Sequence, residues 1–170
     1  MRAVAIIVVI SVVAALVWAN WPIPALPAGT KADRIVITKS SRTLDLVRAG
    51  QTLRSYRVSL GKAPAGPKER EGDGKTPEGL YRITEHKRNS SFHRALRISY
   101  PEKRDIQRAA RAGVSSGSDI MIHGIRTGLG AVGRMHRVWD WTAGCIAVTD
   151  SEIEQIWSAV DDGTVVELRP

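Results

Sequence analysis

From residue 32 onward the chain consists of short runs of β-branched and aliphatic residues punctuated by turns, a pattern that commits it to a mostly-β fold. Asp33-Arg34-Ile35-Val36-Ile37-Thr38 and Thr43-Leu44-Asp45-Leu46-Val47 flank a turn at 39–42 as the arms of a hairpin do, and Ala49-Gly50 makes the next turn. Tyr56, Val58 and Leu60 alternate as on a strand with one wet face, since successive strand side chains point to opposite faces. Further strands are expected after Pro77, over 91–99, at 119–123 and at 163–168. Two stretches read as short helices. Asp105 to Ala112 is amphipathic and is followed by Gly113, a good C-terminal cap. Thr149-Asp150-Ser151 is an N-cap region before Glu152 to Val160, where Ile153, Ile156, Trp157 and Val160 share one face.

The first twenty residues obey a different rule. Met1-Arg2 is a minimal basic start, Ala3 to Ala19 is apolar except for Ser11, and Asn20-Trp21-Pro22 ends the run. At 17 residues it exceeds a usual cleaved signal and meets the lower limit of a spanning helix, roughly 17 to 25 residues, so cleavage near Ala19 and retention as an anchor both fit. No cysteine follows the run, which excludes a lipid-modified N-terminus. Prolines at 22, 24 and 27 then set an extended spacer. The expected organisation is a signal peptide or signal anchor at 1–20, a Pro-rich linker at 21–31 and one domain at 32–170. That domain would lie in the periplasm or cell envelope, free or held to the inner membrane by the N-terminal segment.

Charge narrows the partners. Lys and Arg total 25 against 17 Asp and Glu, a net +8 that favours anionic surfaces, including headgroups and carboxylate-bearing polymers. The basic residues between Arg82 and Arg111 lack aromatic interleaving or a helix-turn-helix pattern, so no nucleic-acid partner is expected. Gly74-Lys75-Thr76 matches the end of a phosphate-binding loop, yet Glu69 stands where its first glycine belongs and a strand follows, which removes nucleotide binding.

The chemistry concentrates at Cys145, the only cysteine, set in Trp141-Thr142-Ala143-Gly144-Cys145-Ile146. It has no partner for an internal disulfide, and beside glycine and threonine it is poor core filler. His123, ending the apolar run Ile120-Met121-Ile122, is the candidate base. His123, His136 and Cys145 lack paired ligand spacing, so neither a metal nor another cofactor is expected. His136 reads as a surface histidine, with substrate contact as the other reading, and His86 and His93 read as solvent-facing. Arg126 and Arg134 are candidates to bind substrate carboxylates, and Trp141 to wall a cleft or pack.

Three ordered motifs resemble the L,D-transpeptidase catalytic domain, also called the YkuD-type domain: Gly72-x-x-x-Thr76-Pro77-x-Gly79-x-Tyr81-x-Ile83, Ile120 to Gly124, and Thr142-x-Gly144-Cys145-Ile146 with the helix after it. The resemblance covers about 33–168. It implies a β-sandwich or barrel-like catalytic fold and an exported enzyme acting on peptidoglycan stem peptides. Its cysteine attacks the carbonyl of a diamino acid, and an amine or water resolves the acyl-enzyme. It also implies that the Gly124 backbone carbonyl orients His123. Backbone amides from Ala143 to Cys145, Gly144 among them, would hold an oxyanion, an imidazolium would favour the thiolate, and Thr142 would brace the turn. Many members carry histidine before the Gly-Cys pair and arginine or asparagine two residues after the cysteine, where this chain has Ala143 and Ala147. The Gly-Cys-Ile-Ala form resembles a branch that includes an amidase detaching lipoprotein from peptidoglycan, so hydrolysis and an outer-membrane lipoprotein partner stand beside transfer. An inactive wall-binding module would have no need of the Cys-His pair.

Overall fold

The hairpin expected at 33–47 forms with Arg34 opposite Val47 and Thr38 opposite Thr43, joining β1 (Arg34–Thr38) to β2 (Thr43–Arg48). Alternation decides its faces: Leu44 and Leu46 are buried while the residues between them are half exposed. The computed structural model describes residues 2–170. Beyond the hairpin come β3 (Gln51–Arg57), β4 (Gly79–Ser90), β5 (His93–Ile98), β6 (Met121–His123), β7 (Ile146–Ala147) and β8 (Val165–Arg169). Helices α1 (Arg2–Ala19), α2 (Lys103–Arg111), α3 (Asp150–Ala159) and a 3-10 segment, Gly130–Val138, complete the set.

The strands form one sheet in the order β3-β2-β1-β8-β4-β5-β6-β7. Its two ends meet. Just past β3, Ser59 exchanges both backbone hydrogen bonds with Ala147 of β7, at 2.9 and 2.8 Å, so the sheet curls back on itself. That closure satisfies the edge groups an open sheet would leave unpaired. Inside lie Ile35, Ile37, Leu60, Tyr81, Leu96, Ile122 and Ile146, with Ile153 and Ile156 of α3 packed in the same core. The chain therefore has the mostly-β, barrel-like architecture expected of it. The α3 cap is also as read: Thr149 and Glu152 form a reciprocal capping box.

Two elements differ from expectation. β4 runs seven residues beyond Ile83, through a polar stretch with no apolar alternation, because pairing with β5 supplies its hydrogen bonds: Glu85 faces Arg97, Lys87 faces Ala95 and Ser90 faces His93. No element is expected between His123 and the cap at Thr149, yet 130–138 winds into 3-10 turns kinked at Gly133. α1 is about 27 Å long at 1.5 Å per residue. Among the described residues no helix is long and apolar enough to cross a membrane.

Candidate active site

A parallel pairing builds the site. β6 and β7 pair with Ile122 opposite Ile146 and His123 opposite Ala147, which brings Cys145, one residue before β7, alongside Met121. Although 21 residues lie between Cys145 and His123 in sequence, two short neighbouring strands bring their positions together. Both side chains line one cleft of about 430 Å³, walled by Phe92, Met121, Trp141, Thr142 and Ala143, with Lys87 as its cation and Asp119 as its anion.

The Cys145 turn is held from both sides. Thr142 donates its hydroxyl to the Cys145 carbonyl at 2.7 Å and accepts the Gly144 N–H at 3.0 Å. Gly144 adopts φ +139°, and a Cβ there would stand 2.7 Å from the Lys75 carbonyl oxygen, so the 61–79 loop presses on the turn where only glycine fits. That loop is itself pinned by Asp73, whose carboxylate accepts Lys68 Nζ at 2.7 Å and the amides of Glu69, Arg70 and Lys75. Replacing the buried Thr142 by valine keeps the shape and removes both hydrogen bonds. The expected loss is about 1 to 3 kcal/mol of stability, read by urea denaturation, together with slower reaction at Cys145.

The imidazole is placed by one bond and two rings. His123 Nδ1 donates to the Gly124 carbonyl at 2.7 Å; a carbonyl only accepts, so in the neutral ring the proton sits on Nδ1 and Nε2 is the free base. The ring packs against Phe92, at 4.5 Å between centroids, and Trp141, at 5.8 Å, which are themselves 6.0 Å apart. Burial among these groups pushes the His123 pKa down, and the Gly124 bond opposes this only in part. Burial likewise pushes the Cys145 thiol up, against a Met121 backbone N–H and the Lys68 charge that favour the thiolate. Both shifts favour a neutral thiol beside a neutral imidazole over the resting thiolate-imidazolium pair expected from sequence, because burial disfavours both charged forms.

The remaining candidates disperse. Trp141, Thr142 and Ala143 stand in the cleft. The Gly144 amide is engaged by Thr142. Arg126 lines a neighbouring hollow, and Arg134 donates to the carbonyls of Trp18 and Trp21 at 3.2 and 2.8 Å; neither lines the cleft. His136 is buried, contrary to a surface reading: its Nδ1 lies 3.4 Å from Trp141 Nε1 and 3.3 Å from the Ser59 hydroxyl. Desolvation first, then the Arg137 charge, lowers its pKa to about 3, so it is neutral at ordinary pH. His86 and His93 pair with Asp162 and Glu154. Among the described residues no group of His, Cys, Asp and Glu is arranged to hold a metal.

Sequence reasoning missed Lys87, Asp119 and Asp140. Asp140 accepts the Leu60 N–H at 2.9 Å and Arg42 Nη2 at 3.0 Å, fixing the turn that carries Trp141. No local pattern marks Asp119 or Asp140, since their partners Arg97 and Arg42 lie 22 and 98 positions away.

The model of the YkuD family, the L,D-transpeptidase catalytic domain, matches residues 32–168. YafK of Escherichia coli strain K12, a candidate L,D-transpeptidase, is 34% identical over 137 residues, covering 77% of this chain and 48% of its own length. The chain thus spans about half the length of the curated relatives it matches. The crystal structure of the helical cell shape determining protein Pgp2 from Campylobacter jejuni shares the fold at a TM-score of 0.63 and 21% identity, over 91% of this chain and 53% of that one. An L,D-transpeptidase from Mycobacterium tuberculosis does so at a TM-score of 0.52 and 17% identity, over 81% and 57%. With the family model spanning most of the chain and a relative at 34% identity, the chain belongs to the L,D-transpeptidase catalytic domain family.

Proposed function

We propose that the protein is an exported cysteine acyltransferase acting on peptidoglycan stem peptides. The observation that carries this reading is the shared cleft, lined by both Cys145 and a histidine whose free nitrogen is chosen by the Gly124 carbonyl. As the sulfur attacks the substrate carbonyl, His123 Nε2 takes the thiol proton, so charge separates only while the new bond forms. The amides of Ala143 and Cys145 flank the developing oxyanion, because that of Gly144 is already donated to Thr142. Collapse of the tetrahedral adduct breaks the C–N bond, His123 returns the proton to the leaving amine, and a thioester remains on Cys145. An acceptor amine then attacks the thioester, again losing its proton to His123, and the thiol is regenerated. Lys87 and Asp119 give the cleft opposite charges suited to a stem peptide that carries both carboxylate and ammonium groups. The apolar N-terminal segment serves as export signal and, uncleaved, holds the domain to the envelope membrane through its exposed apolar side chains.

Intact mass spectrometry of the chain with a diamino-acid tetrapeptide and an acceptor amine tests this. The expected result is a transient adduct of the acyl tripeptide on Cys145, free D-alanine and a joined amide product. Release without a joined product would assign hydrolysis, and absence of both adduct and turnover would sink the enzyme reading.

A further inference from the structure

The described side chains of α1 from Arg2 to Trp18 are exposed, yet Ala19 is 2% exposed, because the last turn of the helix is clasped by the 3-10 segment. Asn20 Nδ2 donates to the Ala131 carbonyl at 2.8 Å, and Arg134 closes on the carbonyls of Trp18 and Trp21. The Trp18 carbonyl, in the last turn of α1, also accepts the Trp21 N–H at 3.3 Å, and Trp21 lies just beyond the helix. Gly133 sits at φ +50° with a built Cβ only 2.4 Å from the Ala19 carbonyl oxygen, so backbone meets backbone. The clasp fixes the direction in which α1 leaves the domain.

Beside the clasp lies an apolar hollow of about 710 Å³, lined by Leu129, Val132, Met135, Val138 and Trp139. Three of these are open to solvent: Leu129 at 52%, Val138 at 75% and Trp139 at 64%. Trp18 and Trp21, on the other side of the clasp at the end of α1, are equally exposed, and tryptophan is the residue that settles at headgroup depth. Arg126 lies in the hollow's lining, and the chain carries +8 overall, which suits anionic headgroups. Phe92 and Trp141 line both this hollow and the Cys145 cleft, so whatever covers the one borders the other.

We propose that the 130–138 face is a membrane-docking surface, resting on the anionic bilayer that takes up α1 and holding the mouth of the Cys145 cleft beside the headgroups. This rests on the anchored reading of the N-terminal segment above. Helix and face act as one footprint: α1 supplies attachment, and the clasp converts attachment into a fixed orientation.

The test uses the full chain with Cys145→Ser, reconstituted in vesicles of phosphatidylethanolamine and phosphatidylglycerol. A nitroxide is placed in turn at Val9→Cys, Leu129→Cys, Val138→Cys and Ile106→Cys, the last being an exposed site on α2. Relaxation by lipid-dissolved oxygen relative to an aqueous nickel chelate should be several-fold higher at 9, 129 and 138 than at 106. If label 9 reports lipid while 129 and 138 match 106, the docking surface is refuted and the anchor stands. A label 9 in water removes the anchored reading and the proposal with it. Labels at 129 and 138 shielded from both reagents would also overturn it, assigning the face to a protein partner, with label-to-label distances identifying a second copy.

Discussion

Cys145→Ala is expected to lower turnover of a stem tetrapeptide by roughly 10⁴-fold or more, since in enzymes where nucleophile and base act as a unit, loss of either removes almost all chemistry beyond binding. His123→Ala should cost roughly 10² to 10⁴-fold, the range of general acid-base catalysis. Because the proposed mechanism uses the two as one device, the double variant should be hardly slower than Cys145→Ala alone. The pH profile separates this device from a preformed ion pair. His123 must be neutral to accept the proton, and its pKa is depressed by burial. Activity should therefore persist as pH falls through the usual histidine range and disappear only below it. Alkylation of Cys145 by iodoacetamide should accelerate as pH rises toward and beyond the ordinary thiol range, because burial holds the thiol up. A thiolate already present at pH 6, seen as fast and pH-independent alkylation, would refute the neutral pair.

Removal of the Asp73 carboxylate is expected to be the most damaging change to stability outside the core. Its partner Lys68 keeps only 4% of its side chain exposed, so Asp73→Ala strands a buried ammonium and three backbone donors. Breaking a buried pair in this way costs roughly 3 to 5 kcal/mol. For a domain of this size that is a fall in Tm of about 10 °C, read by calorimetry. The Lys75 carbonyl that packs on Gly144 belongs to the same loop, so activity should fall together with stability. Hydrogen bonds from Lys68 and from the backbone hold the Asp73 pKa at about 2, outweighing a desolvation effect of opposite sign. A depressed carboxylate stabilises the fold above its unfolded pKa, and that contribution is lost as pH drops from about 4 toward 2. The stability gap between wild type and Asp73→Ala should thus narrow over that acid interval and stay constant above it.

The sequence alone determined most of the strands, both short helices and the candidate pair Cys145 and His123. Those features are local: period-two burial, a capping box written in Thr149 and Glu152, and a lone cysteine in a glycine turn each carry their physics within a few residues. β4 beyond Ile83 was not legible, because its hydrogen bonds come from β5 and its side chains are wet on both faces. The burial of His136 was equally hidden, since a histidine between two arginines looks solvated until Ser59 and Trp141 close over it. Arg134 shows the converse: its charge suggested a carboxylate ligand, and the tertiary structure spends its donors on the end of α1.

What only the tertiary structure decided is the state of the site. Whether Cys145 and His123 rest as ions or as neutral partners depends on how much water surrounds them. That is set by Phe92, Trp141 and the 61–79 loop, brought in from different parts of the chain, because desolvation is summed over every atom within reach and not over neighbours in sequence.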